Sequence, residues 1–105
     1  MEIRKINTDG DSIIIYLKDN QKENLSLGVF SHLEVARVVL DCQSVSYISD
    51  QEIENLAAFS KELTSKKTQV EIRWVNKETA AKFKKHDLQK YAYIERAIRE
   101  IDIGT

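Results

Sequence analysis

Three β-branched apolar runs, with a long amphipathic stretch between the second and the third, restrict the folds open to this chain. The runs are SIIIYLK at 12–18, ARVVLDC at 36–42 and QVEIRWV at 69–75. Strand side chains alternate between faces, so the first run sets Ile13, Ile15 and Leu17 against Ser12, Ile14, Tyr16 and Lys18. The second sets Val38, Leu40 and Cys42 against Arg37, Val39 and Asp41, and the third sets Val70, Ile72 and Trp74 against Glu71, Arg73 and Val75. From Asp50 to about Lys66, Ile53, Leu56, Phe59 and Leu63 recur at helical spacing. A helix between two strands predicts a parallel crossover and therefore an α/β fold. Each strand has one apolar and one mixed face, which predicts helices mainly on one side of the sheet; doubly wound sheets have strands apolar on both faces.

The remaining segments extend this pattern. EIRKIN is a weaker first strand, joined to the second by a turn at Asp9 and Gly10. Residues 77–86 offer Ala80, Ala81 and Phe83 to a second helix. Ile94, Ala97, Ile98 and Ile101 fit the i, i+3, i+4, i+7 template and predict a last helix over 93–101. Glu95 with Arg99, and Arg96 with Glu100, would pair on its wet face. A short helix around 24–34 is weakened by Gly28. With no proline and three glycines, no linker stands out, and a single domain over 1–105 is expected. Ile14, Tyr16, Val39 and Val75 share the mixed face; a homodimer contact there competes with cover by a terminal segment or short helix.

The formal net charge of −1, from 16 basic and 17 acidic residues, gives no general attraction to nucleic acid or anionic membranes. The lysine runs SKKT and KFKKHD have acids nearby and read as solvated helix faces or turns. No stretch approaches the ~20 apolar residues of a membrane span, and MEIRKIN lacks the apolar centre of a signal peptide. The cytoplasm is the expected compartment. Cys42 is the only cysteine, which rules out an intrachain disulfide and agrees with a reducing compartment. Set in an apolar run with no histidine placed beside it, it reads as a small core residue rather than a nucleophile.

The junction VSYISDQEIENL, residues 45–56, carries the most local information. Ser49 followed by Glu52 ahead of an apolar run is a capping box, and Asp50, Glu52 and Glu54 suit the positive end of a helix dipole. Catalytic chemistry does not assemble. There is no Gly-rich phosphate loop and no Cys/His cluster at metal-ligand spacing, so no cofactor or metal is expected. Asp41 ends a strand as a receiver-domain aspartate would, without a placed acidic cluster for Mg²⁺. Asp50, Glu52 and Glu54 sit together on a helix start rather than across a cleft, unlike glycosidase carboxylates.

VVLDCQSVSYISDQEIENLAAFSKEL resembles the central motif of STAS domains, the sulfate-transporter and anti-sigma-factor-antagonist family, and VNKETAAKFKKHDLQKYAYIERAI is similar to that family's C-terminal part. The resemblance covers about residues 36–101. It implies a STAS-like mixed sheet of four to five strands with helices mainly on one face. It also implies a non-enzymatic module for signal transduction that binds a protein partner. In bacterial anti-sigma factor antagonists, a kinase-like anti-sigma factor phosphorylates a serine at the start of the central helix. The resemblance sets Ser49 at that motif's aspartate and Asp50 at its serine, so the serine switch becomes a fixed charge that imperfectly mimics phosphoserine. Glu52 stands where the family has glycine, and a Lys- or Arg-lined partner surface is the expected match. Phosphorylation of Ser49 itself would compete with its capping role. The expected contact residues are Tyr47, Ser49, Asp50, Gln51 and Glu52, and the expected partner is an anti-sigma or histidine-kinase-like protein, or a larger signalling assembly. The alternative is an accessory subunit gripping the ATPase of an ABC transporter.

Overall fold

The computed structural model describes residues 1–20 and 25–96. Strands β1 (Glu2–Asp9) and β2 (Ser12–Lys18) form an antiparallel hairpin. It turns on Gly10, whose φ of 61° is a left-handed conformation that costs a residue without Cβ little. Strand β3 (Arg37–Ser44) runs parallel to β2. Helix α1 (Asp50–Ser65) then crosses to β4 (Gln69–Val75), and α2 (Lys77–Lys85) crosses to β5 (Tyr93–Arg96). Both new strands are parallel to their neighbours, giving one five-stranded mixed sheet in the order β1-β2-β3-β4-β5.

The strand alternation decides which face the helices cover. Ile15, Leu17, Val38, Leu40 and Ile72 form one buried cluster with Ile53, Leu56, Phe59 and Leu63 of α1 and Phe83 of α2. Each such side chain contributes roughly 1.5–3 kcal/mol by leaving water. Leu25 and Leu27 join that cluster just before a 3₁₀ turn at Gly28–His32, which is all the helical structure described where residues 24–34 suggested a short helix.

Two sequence expectations are overturned. Tyr93–Arg96 is strand, not the start of a helix: Tyr93 pairs with Glu71 and Ile94 with Ile72, so pairing along β4 overrides the local helical spacing. Ala97, Ile98 and Ile101, and the pairs with Arg99 and Glu100, lie outside the described residues. The second correction is Val75, expected on the mixed face but 1% exposed in the core. Trp74 adopts a φ of 62°, and the register of β4 on β5 shifts between Ile72 and Val75. That bulge costs on the order of 1–3 kcal/mol at a non-glycine residue; it turns Val75 inward and leaves Trp74 36% exposed.

Among the described residues, the sheet face opposite the helices is closed by charge. Val39 is 1% exposed yet stands apart from the main core cluster, paired with Ile14 on one side and Glu71 on the other. Glu71 is gripped by Arg37 at 3.3 Å and Arg73 at 2.7 Å. Arg4 and Lys5 each lie 5.3 Å from the centre of the Tyr16 ring. Of the four residues expected to form an apolar contact on this face, only Ile14 and Tyr16 are there and partly exposed. No helix among the described residues is long and apolar enough to cross a membrane.

Candidate functional site: the start of helix α1

After β3 the chain dips inward at the fully buried Ile48, and α1 begins at Asp50 with Ser49 as its N-cap. The Ser49 hydroxyl accepts a hydrogen bond from the Glu52 N–H at 3.1 Å, and the Ser49 N–H donates to Glu52 Oε1 at 3.2 Å. This is the reciprocal capping box that the spacing predicts. The second Glu52 oxygen, Oε2, binds the Met1 ammonium at 2.6 Å, with both groups almost out of solvent. Ser49 and Glu52 are 6% and 3% exposed. As expected contact residues they therefore stand beneath the surface, and Glu52 adds no free negative charge to it.

What the junction presents outward is Tyr47, Asp50 and Gln51. Tyr47 is 62% exposed, the Asp50 side chain is 71% exposed, and Gln51 donates to Asn55 Oδ1 at 3.3 Å. Helix α2 supplies what the sequence reading missed. His86 Nε2 lies 3.3 Å from Asp50 Oδ1, and Lys82 Nζ lies 4.0 Å from the same oxygen. The Lys82 ammonium also donates to the Ile48 carbonyl at 3.0 Å and sits 4.4 Å from the centre of the Tyr47 ring. Lys82 and His86 belong to the KFKKHD run, and their (i, i+4) spacing was the available signal that one helix face carries both.

The loop between β3 and α1 is tied from two sides. Asp19 accepts hydrogen bonds from the Ser46 hydroxyl and from the backbone N–H groups of Ser46 and Tyr47. Burial alone would raise the Asp19 pKa, but those donors, led by the Ser46 hydroxyl, together with the Met1 ammonium, hold it below its usual value. Asn76, the N-cap of α2, accepts from the Thr79 N–H and donates through its side-chain amide to the Ser46 carbonyl at 3.0 Å.

Elsewhere the candidate chemistry is quiet. Cys42 is buried, and burial, with a smaller push from the Asp41 carboxylate, drives its thiol pKa up to about 12. A thiol held that high stays protonated near neutrality and is a poor nucleophile. Asp41 is 9% exposed and accepts a hydrogen bond from the Gln43 N–H. Among the described residues no three His, Cys, Asp or Glu side chains converge as a metal site would require.

A search of curated proteins returns no significant match. Among solved structures, the chain is similar to one titled "NMR Structure of the protein TM1081", with a TM-score of 0.72 at 12% sequence identity. That match covers 93% of this chain and 84% of the other, and at such identity the likeness is one of fold. The family model of the STAS domain matches residues 4–101. STAS domains are in general non-catalytic regulatory modules that engage other proteins. With a mixed five-stranded sheet, a helix capped directly after its central strand and a family match over nearly its whole length, this chain belongs to the STAS-domain family.

Proposed function

We propose that this STAS domain regulates a protein partner by binding it through the surface at the start of α1, in the manner of an anti-sigma factor antagonist, with Asp50 as a fixed charge at the switch position. The observation that carries the reading is the exposure of Asp50 and Tyr47 beside a helix start closed by a reciprocal capping box. Asp50 brings one negative charge, against about −1.5 to −2 for a phosphoserine, so the surface is held near the modified state of a serine switch. The contact residues are Tyr47, Asp50 and Gln51, with Ser49 and Glu52 as the support that fixes their geometry.

The test is capture of partners from the protein's own cells with the wild-type chain and with Asp50→Ser, each identified by mass spectrometry. A soluble anti-sigma or histidine-kinase-like protein held more tightly by Asp50→Ser supports the reading. A transporter ATPase held equally by both chains supports the accessory-subunit alternative, and no specific partner for either chain overturns the binding role of this surface.

A further inference from the structure

Resting on that reading, we infer that Lys82 senses the charge at residue 50 and relays it to Tyr47, making α2 a working half of the site. One ammonium serves three groups at once: Asp50 Oδ1 at 4.0 Å, the Ile48 carbonyl at 3.0 Å and the Tyr47 ring at 4.4 Å. These groups lie on both sides of the N-cap, so the ammonium bridges the exposed end of the loop and the first turn of the helix.

The three contacts are unequal in a way that suits a sensor. The hydrogen bond to the carbonyl is short and lies near the fully buried Ile48, so it anchors the ammonium. The Asp50 contact is long and mostly exposed, worth no more than a surface ion pair. The attraction to the Tyr47 ring is weak by itself, about 0.5–1 kcal/mol at exposed sites. A small change of charge at residue 50 therefore shifts where the ammonium rests without unseating it, and the Tyr47 ring feels that shift. Lys82 is half-buried, which restricts the positions it can take. His86 Nε2 shares the same Asp50 oxygen at 3.3 Å and fixes the carboxylate on the α2 side. The Tyr47 backbone is held, its N–H bonded to Asp19 and the neighbouring Ser46 carbonyl to Asn76, while the residue is 62% exposed, so the side chain is the part that can respond.

Lys82 is thus a positioning residue, acting on the partner through Tyr47. A partner group that competes for the Asp50 carboxylate is converted into a change in how the aromatic ring is presented. The sequence reading expects a basic partner surface facing free carboxylates; instead Asp50 already has the Lys82 ammonium beside it within the chain, so the partner meets the aromatic ring and the Lys82–Asp50 pair together.

The experiment is a double-mutant cycle read by NMR on the isolated chain. Ring and amide shifts of Tyr47 are compared in wild type, Asp50→Asn, Lys82→Met and the double variant. Asp50→Asn should move the Tyr47 resonances in wild type, and the movement should shrink by roughly threefold or more once Lys82 is Met. Lys82→Arg, which keeps the charge, should restore most of it. Equal movement with and without the ammonium overturns the relay, as does Lys82→Arg behaving like Lys82→Met. If Lys82→Met fails to give a folded spectrum, Lys82→Gln keeps the hydrogen-bond donor without the charge and serves the same cycle. The cycle needs no partner, so a failed relay is distinguishable from a failed binding role.

Discussion

Glu52 carries a carboxylate at 3% exposure, where loss of water opposes a charge by several kcal/mol unless it is answered. The Met1 ammonium and the Ser49 N–H answer it, and the helix dipole adds to both. Read along the sequence, Glu52 makes the helix start more negative; folded, it is an internal strut. Cys42 shows the reverse case, a group kept neutral by burial. Its pKa rises from 9.0 to about 12, so the folded chain binds the thiol proton more tightly than the unfolded chain does. The associated stability is complete below pH 9 and is lost as pH climbs toward 12. Urea midpoints measured at pH 8 and pH 10.5 should therefore fall more steeply in wild type than in Cys42→Ala, even though the variant starts about 1 kcal/mol less stable from its small cavity. Parallel pH dependence in the two proteins would mean that the thiolate is not excluded.

At the scale of elements, the loop between β3 and α1 holds its shape through Asp19. Asp19→Ala should raise amide exchange at Ser46 and Tyr47 on the order of tenfold while changing global stability by less than ~1 kcal/mol, because the residue is exposed and ties only the loop. The lowered Asp19 pKa makes the same loosening appear in wild type as pH falls through that lowered value, with the ordering fully present above 3.8. Unchanged exchange in Asp19→Ala would assign the loop's order to Asn76 and Lys82 instead. This loop also marks where the sequence stops being legible. The runs at 12–18, 36–42 and 69–75, the helix beginning at Asp50 and the Ser49–Glu52 box are local patterns, and each reappears in the fold. The helix expected at 93–101 is not local in the same sense: Ile94 satisfies a helical template, but the open edge of β4 claims it as strand. Trp74 breaks the alternation with a single backbone angle that no residue type there announces. The partners that shape the site lie far apart in sequence, Asp19 to Ser46, Ser46 to Asn76 and Asp50 to His86, so spacing could not reveal them.

For the molecule as a whole, the sheet face that no helix covers among the described residues raises the question of what prevents an apolar strip from acting as a contact. Across the sheet the row runs Asn7, Ile14, Val39, Glu71, Tyr93, and its only charge is Glu71. Held by Arg37 and Arg73, that carboxylate places a half-buried ionic group directly beside Val39, and any surface docking there would have to strip water from three charges at once. The device resembles the inward-facing charges with which sheet proteins discourage pairing. Glu71→Leu should therefore do two things. It leaves Arg37 and Arg73 without their shared acceptor, and it joins Ile14, Val39 and Tyr93 into a continuous apolar row of the kind that marks contact surfaces. Sedimentation velocity over a range of concentrations should show Glu71→Leu associating more strongly than wild type. Indistinguishable sedimentation of the two chains would mean that the face is guarded by its shape and by Arg4 and Lys5 around Tyr16, rather than by the Glu71 cluster.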